Sequence, residues 1–304
     1  MRVFGVYGLL LLATVFWGLN FVLAGFVLTD FSPTGSAAWR FGGAAVILLV
    51  WVVMMPATPR LWLVLRSNAW RYLLLGIIGI SGFNLLFFEA MRTASADTAA
   101  LIMATNPLLT TFLAWMVLGE HPGWQRLLAL PVALAGVLVV ITEGHLGRLF
   151  TLSLVPGDAL MLAADVCWAF YNVLTRLLMP KSVSAPVNTA FVVTAGALVL
   201  LGVAAMSSPV PVNLSPTAGW AMIVMIVFGT VLAYLFWNTG IAALGAGRTA
   251  LFMNLVPVFA MLSAMGFGQM PTPGQWLGGA IVFAGLLLSV LPDWRVDKGL
   301  RSSV

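Results

Sequence analysis

Residues 98–120 read TAALIMATNPLLTTFLAWMVLGE, and residues 248–269 read RTALFMNLVPVFAMLSAMGFGQ. An offset of 150 residues aligns the two stretches and places Pro257 on Pro107, in the middle of an apolar run in each copy. In a soluble helix an interior proline costs ~3 kcal/mol, whereas in a membrane bundle neighbouring groups can satisfy the freed carbonyl. The repeat therefore predicts a duplicated membrane protein, with a hinge or a cavity wall at each proline.

The composition supports a chain that lies mostly in lipid. Its 304 residues are 62% hydrophobic and 8% charged, and the mean hydropathy is +1.06. Soluble proteins average about 25% charged residues. The longest connections, 56–69 and 143–156, leave no room for a separate soluble domain. If about 20 apolar residues make one crossing, the sequence predicts ten spans, at residues 4–26, 33–55, 70–90, 97–118, 124–142, 157–178, 187–206, 217–239, 246–268 and 274–291.

The basic residues predict topology rather than a polyanionic partner. The pI is about 10.0, but the Lys and Arg residues are scattered between the spans, which argues against nucleic acid. With a cytoplasmic N-terminus, eleven of the fourteen basic residues fall on the inner side. We therefore expect a multi-pass protein of a bacterial inner (plasma) membrane with both termini cytoplasmic. Cys167 is the single cysteine, so the chain has no internal disulfide and no cysteine metal site.

The internal similarity extends over the whole chain. With an offset of 151, Trp168 aligns with Trp17, and with an offset of 150, Trp237 aligns with Phe87. Each copy has five crossings, an odd number, so the second copy enters the membrane from the opposite side. The predicted fold is an all-α integral membrane protein of ten transmembrane helices, built as two inverted five-helix repeats over residues 4–142 and 157–291. Inverted repeats can open to either side of a midplane site, which favours transport.

Several short motifs follow one another in a distinctive order. They are Trp17-Gly-Leu-Asn20-Phe21, Arg40-Phe41, residues 90–96 (AMRTASA), Asn106-Pro107 and Leu118-Gly119-Glu120. Their order resembles the drug/metabolite transporter superfamily, specifically its EamA-type members, over about residues 7–291. The resemblance implies a central cavity lined by spans 1–4 and 6–9, with spans 5 and 10 at the periphery. It also implies the movement of small molecules, often the export of amino acids or related metabolites. Asp165 and Gln269 depart from the family's pattern.

Asp165 is the acidic residue nearest the middle of a predicted span. A charge at the bilayer centre costs at least ~2.5–3.5 kcal/mol, so the residue needs a partner, a wet cavity or a proton. Our hypothesis is that Asp165 faces the cavity and either carries a coupling proton or pairs with a cationic group of the substrate. The alternative is a structural acid that is hydrogen-bonded to a neighbouring helix.

Arg40 and Glu89 lie at similar depths near the outer ends of spans 2 and 3. An ion pair would neutralise two charges that would each be costly alone. We therefore expect a structural ion pair or a shared polar network that closes the outer side.

The remaining candidates are aromatic and amide side chains. Aromatic rings supply contact area and a face for cations, worth ~0.5–2 kcal/mol each, and amides donate and accept hydrogen bonds without a charge. Packing is the alternative role for the rings. Together with Asp165, the predicted substrate-binding residues are Trp17, Asn20, Asn84, Phe87, Asn106, Trp168, Asn172, Tyr234, Trp237 and Asn254.

These features favour a secondary active transporter over other classes. The sequence contains no Walker motif, so a proton or substrate gradient would drive it, and we expect no cofactor. A membrane channel or a non-transporting sensor is the alternative. An embedded enzyme is less well supported because no paired acids or histidine cluster face each other. The expected partners are a small-molecule substrate and the lipid bilayer, and the sequence leaves open both a monomer and a homodimer.

Overall fold

The computed structural model describes residues 3–55, 61–94, 96–151, 155–207 and 214–290. Within these residues, nine helical spans are long and apolar enough to cross a membrane, and a shorter apolar helix completes the expected ten. Spans 1 to 5 are Val3–Val27, Pro33–Met54, Leu61–Ala90, Thr98–Leu118 and Trp124–Ile141. Spans 6 to 10 are Pro156–Leu178, Ala185–Ser207, Pro216–Leu244, Ala246–Met265 and Pro273–Val290.

The packing of the spans follows the duplication. Span 1 packs on spans 8 and 9, and its counterpart, span 6, packs on spans 3 and 4. Spans 2 and 7 pack on each other, as do spans 5 and 10. In the second pair a Cβ at Gly136 would lie 2.6 Å from the Val282 nitrogen, and one at Gly278 would lie 2.6 Å from the Val140 nitrogen. These reciprocal contacts relate the two halves, and the glycines allow the close approach.

Local sequence accounts for where some helices begin. Ser32 precedes span 2, and its hydroxyl accepts a hydrogen bond from the Gly35 N–H at 3.0 Å. Ser215 precedes span 8 and accepts from the Ala218 N–H at 3.3 Å. A proline follows each serine at the first helical position, where its missing N–H costs nothing.

The break at each repeated proline is confirmed. Span 4 consists of the helices Ala96–Met103 and Asn106–Leu118, so Pro107 lies in the first turn of the second helix. Span 9 begins as Ala246–Ala250, tightens into a 3₁₀ turn, and continues as Leu255–Met265 around Pro257. In both spans the proline begins a new helical segment because it cannot donate a hydrogen bond to the preceding turn.

Spans 3 and 8 each contain a wide turn of π-helix, at Ile77–Gly82 and Met225–Leu232. These turns were not predicted from the apolar pattern. A hydroxyl bonds to a carbonyl of its own helix in each: Ser81 donates to the Gly76 carbonyl at 3.3 Å, and Thr230 donates to the Met225 carbonyl at 3.1 Å. π-Turns inside α-helices are frequent at functional sites. The residues that pack beside these two matching turns are therefore candidates for the functional site.

Span 3 begins earlier than expected, at Leu61 rather than at residue 70. Its 30 residues would extend about 45 Å, more than the ~30 Å of bilayer hydrocarbon. Trp62 and Trp70 are exposed in this first part, and Arg71 donates to the Asn68 side chain at 3.2 Å. Residues 61–69 read LWLVLRSNA, and the three polar residues at 66–68 interrupt the apolar run, so counting apolar residues missed this first part of the helix.

Candidate functional site

Asp165 lies at the centre of a polar network between spans 4 and 6. Its side chain is 0% exposed. Asn106 donates to Asp165 Oδ1 at 2.8 Å and to the Asp165 carbonyl at 3.1 Å, and Thr105 donates to Oδ2 at 3.2 Å. The break before Asn106 makes this contact because it turns the start of a helical segment toward span 6. No ion pair joins Asp165 to a basic residue in the described part of the chain.

The network continues through the bundle to span 8. Thr110 donates to Asn106 Oδ1 at 3.1 Å, and Asn172 donates to the Thr110 hydroxyl at 3.4 Å. The indole N–H of Trp237 then donates to Asn172 Oδ1 at 2.8 Å. We call this chain the Asp165 network; its members are Thr105, Asn106, Thr110, Asp165, Asn172 and Trp237. It links spans 4, 6 and 8, so both halves of the molecule contribute to it.

Four of the predicted aromatic residues meet beside this network. The Trp17 ring lies 4.9 Å from that of Trp237, 5.6 Å from that of Trp168 and 5.9 Å from that of Tyr234. Tyr171 also belongs to the cluster, because its ring stacks on Trp168 at 5.1 Å. We call these five residues the aromatic cluster. They come from spans 1, 6 and 8, and most of the contacts are edge-on or tilted.

The wide turns pack against the aromatic cluster and its neighbours. Trp17 donates to the Gly229 carbonyl, in the wide turn of span 8, at 3.0 Å. A Cβ at Gly229 would meet the Asn20 side chain, and one at Gly79, in the other wide turn, would meet the Tyr171 ring. Asn20 and Tyr171 are counterparts in the two halves, so each wide turn holds a side chain of the opposite half.

The structure does not form the expected ion pair between Arg40 and Glu89. Glu89 pairs instead with Arg92, one turn later on an exposed surface, at 3.1 Å. Arg40 donates to Asn84 Oδ1 at 3.2 Å, and Asn84 in turn donates to the Ile80 carbonyl at 2.7 Å. Similar depth was the basis of the prediction, and it does not fix which face of a helix a side chain occupies.

Two other predicted residues lie apart from the Asp165 network. The Phe87 ring contacts Phe83 at 5.8 Å, and Phe83 contacts Trp168 at 5.5 Å, so Phe87 lies one ring away from the aromatic cluster. Asn254 is buried in the 3₁₀ turn of span 9, and its Oδ1 accepts no hydrogen bond in the described structure.

Sequence reasoning missed three residues that hold the site together. Thr105 and Thr110 bond to Asp165 and Asn106. The Tyr171 hydroxyl donates to Asn238 Oδ1 at 2.8 Å. A signal was present for Thr110, since it follows Asn106 by four residues and therefore shares its helix face.

An apolar groove of about 210 Å³ lies between spans 9 and 10, and Val258, Met261 and Phe283 are among the residues that line it. None of the predicted site residues contributes to it. Its lining suits hydrocarbon rather than a polar metabolite, so the candidate site remains the Asp165 network with the aromatic cluster. No cluster of metal-ligating side chains was found in the described ranges.

Ten apolar spans in two inverted halves, enclosing a polar network that both halves build, define a membrane transporter. The chain belongs to the EamA-like transporter family, whose model matches residues 5–142 and 155–291. It is 40% identical over 290 residues to the Bacillus subtilis (strain 168) "Uncharacterized transporter YyaM", covering 94% of each chain.

Other relatives have more specific names. The chain is 28% identical over 301 residues to a "Probable amino-acid metabolite efflux pump" of Escherichia coli (strain K12), covering 94% of this chain and 95% of the relative. It is 27% identical over 229 residues to a "Probable terminal-alkyne amino-acid exporter" of Streptantibioticus cattleyicolor, covering 71% of each chain. A crystal structure with 18% identity and a TM-score of 0.79, covering 96% of this chain and 98% of its own, shares the fold. These names indicate a transporter rather than an enzyme.

Proposed function

We propose that the protein is a secondary active transporter that exports amino acids or related small metabolites by alternating access. The observation that carries the proposal is Asp165, a fully buried carboxylate that only neutral donors hold and that lies where the two halves meet. The names of two relatives support the substrate class, since both refer to amino acids or their metabolites. The positive-inside pattern supports a bacterial inner membrane with cytoplasmic termini.

In this mechanism Asp165 is the coupling residue. Its carboxylate binds either a proton or the cationic group of the substrate, so the two compete for one site. Protonation removes a charge that is costly inside the membrane. Substrate release to one side therefore favours proton binding from that side. The breaks at Pro107 and Pro257 supply flexible points at which spans 4 and 9 can reorient during access to the two sides.

The test is transport in liposomes that contain the purified protein and an internal pH dye. A pooled panel of amino acids, nucleosides, sugars and organic cations provides the substrates. We expect saturable, protein-dependent movement of amino acids, accompanied by proton movement. Asp165→Asn should reduce transport driven by a pH gradient at least about tenfold, because one lost charge-assisted interaction is worth ~1.5–3 kcal/mol.

Glu143→Gln is the matched control, since Glu143 is an exposed acid that pairs with Arg148 at 3.2 Å. It should leave both readouts unchanged. An unchanged rate and pH dependence in Asp165→Asn would remove the coupling role. Movement that does not saturate would favour a channel, and no movement of any compound by folded protein would favour a sensor.

A further inference from the structure

Arg40 is a second intramembrane charge that pairs with no charged residue in the described part of the chain. Its Nη2 donates to Asn84 Oδ1 at 3.2 Å, and its guanidinium carbon lies 4.7 Å from the centre of the Phe41 ring. Its Nε is buried and has no acceptor, and no carboxylate among the described residues forms an ion pair with it. A guanidinium carries five N–H donors and no acceptor, so Arg40 has donors to offer to an anion.

Trp168 supplies a second unused donor nearby. Its side chain is 3% exposed, and its indole N–H has no acceptor among the residues described. A buried donor without an acceptor loses the hydrogen bond that it made to water, which is unfavourable. The Trp168 ring lies 5.9 Å from that of Tyr234, which lies 5.6 Å from the ring of Phe41, the neighbour of Arg40. Tyr234 therefore contacts the ring of Trp168 directly and the ring of Phe41, over which the Arg40 guanidinium lies.

Asp165 lies at the same depth as this group. Spans 3 and 6 run antiparallel, with Gly79 facing Tyr171 and a Cβ at Gly82 lying 3.8 Å from the Cys167 sulfur. The same register continues to Asn84, the partner of Arg40, and places it level with Asp165. One cation and one anion therefore lie at one depth beside the aromatic cluster, and neither forms an ion pair with any residue that the structure describes.

We propose that Arg40, together with the indole N–H of Trp168, binds the carboxylate of the transported molecule while Asp165 binds its cationic group. The site then takes a zwitterion of the α-amino-acid type in preference to a simple amine or a simple acid. A planar guanidinium matches a carboxylate with two parallel hydrogen bonds. This assignment rests on the proposed function, because it names the substrate poles of the same site.

The experiment compares three matched sets of compounds by counterflow into liposomes that contain the full-length protein. The first set is the free amino acids, the second is their amides, which lack the carboxylate, and the third is their N-acetyl derivatives, which lack the ammonium group. Protein-free liposomes give the passive leak. Free amino acids should exceed both other sets by on the order of 10- to 100-fold, the equivalent of one charge-assisted hydrogen-bonded pair.

Two variants test which residues bind the carboxylate of the substrate. Arg40→Gln should bring free amino acids and amides to similar rates, because the group that distinguishes them is gone. Trp168→Phe keeps an aromatic ring but removes the N–H and part of the indole, so it should reduce free amino-acid movement several-fold more than amide movement. Elution as a single species and an unchanged melting temperature check folding. If Arg40→Gln does not fold, Trp168→Phe alone decides.

Arg92→Gln and Trp39→Phe are the matched controls, since both residues are exposed at the same end of the bundle. Both should behave as wild type. Equal rates for amides and free amino acids in the wild type would overturn this inference and leave the exporter proposal standing, as would a folded Arg40→Gln that keeps the preference. Absence of movement in all three sets would overturn both.

Discussion

The two halves of the molecule share a scaffold but differ in their polar groups. Trp17 and Trp168 are counterparts, yet the Trp17 indole donates to the Gly229 carbonyl at 3.0 Å while the Trp168 indole has no acceptor in the described structure. Thr14, the counterpart of Asp165, donates only to the Leu11 carbonyl of its own helix at 2.8 Å. At these positions the donors of the first half thus have protein acceptors, whereas the second half presents a buried acid and a donor that has no acceptor in the described structure. The duplicated spans form a scaffold that both halves share, and the residues that differ between the halves carry the charge and the unused donor of the site.

The ends of the two halves also differ. Glu120 ends span 4 and accepts hydrogen bonds from the N–H groups of Ala246 and Gly247, each at 3.3 Å. It also lies 3.7 Å from Arg176 Nε, and Arg176 donates to the Ala242 carbonyl. Its counterpart Gln269 is exposed at the opposite end of the bundle. The carboxylate therefore ties spans 4, 6, 8 and 9 together at one end only.

The largest expected effect is a difference in thermal stability between alanine variants of the two wide turns. Gly79→Ala should lower the melting temperature by several degrees, because the new methyl group overlaps the fully buried Tyr171 ring and overpacking costs about 1–3 kcal/mol. Gly229→Ala should cost less, since its methyl group meets the movable end of Asn20. Thermal unfolding in detergent measures both.

Gly8→Ala is the control for this pair, because a Cβ there meets nothing within 4 Å. Alanine should be neutral or stabilising at that helical position. If Gly79→Ala melts at or above the wild-type temperature, the wide turn of span 3 does not pack closely against Tyr171.

A smaller effect on local stability should distinguish a substitution of Glu120 from a substitution of its counterpart, Gln269. Glu120→Gln weakens the hydrogen bonds to the start of span 9 and removes the charge that faces Arg176. The expected loss is about 0.5–1.5 kcal/mol locally, since this pair is partly exposed and solvent screens it. Hydrogen exchange should become several-fold faster at residues 245–250.

Gln269→Glu serves as the reciprocal variant. It should leave exchange at residues 245–250 unchanged, because Gln269 lies at the other end of the molecule. Equal exchange in wild type and Glu120→Gln would mean that the carboxylate does not hold spans 4 and 9 together.

The smallest effect concerns the loops that connect the first two spans of each half. Hydrogen bonds from the Ser215 hydroxyl and N–H, both at 2.7 Å, and then from Thr29, hold the pKa of Asp30 below its ordinary value. The folded state thus favours the ionised form, and the resulting stability is present above the unfolded pKa. It is lost as the pH falls below about 4.

Asp30→Asn should therefore reduce the drop in melting temperature between pH 7 and about pH 3.5, where Asp protonates. Lys181, which aligns with Asp30, is exposed, and Lys181→Gln should leave the drop unchanged. An identical acid profile for wild type and Asp30→Asn would contradict the role of the Ser215 contact.

The architecture was largely predictable because it depends on apolar length and on duplication. The ten spans follow from the length of apolar sequence that is needed to cross a membrane. The break at Pro107 follows from the backbone N–H that proline lacks. The wide turns were not predictable, because IIGISG and MIVFGTVL are as apolar as ordinary helical segments. Only the packing of Gly79 and Gly229 against the opposite half distinguishes them.

The site was predictable in its members and less so in its pairings. Asp165 stood out by composition alone, and Asn106 by its place in a motif, but their contact depends on the direction in which the broken span 4 turns. The predicted partner of Arg40 was wrong because positions along two spans give the depth of each residue but not the side of the helix on which its side chain lies. Asn84 lies a little over one turn before Glu89 and faces Arg40, whereas Glu89 is exposed.

The wide turns also carry information about ancestry. A π-turn spans one residue more than an α-turn, so each wide turn is a place where its span departs from a regular α-helix. The two turns occupy matching places, with Gly79 and Gly229 separated by the 150-residue offset of the repeat. Two copies of one five-span unit share such a departure when the unit itself contains it. Asp165 faces Thr14 across the same alignment, so the wide turns belong to what the two halves share and the buried acid to what distinguishes them.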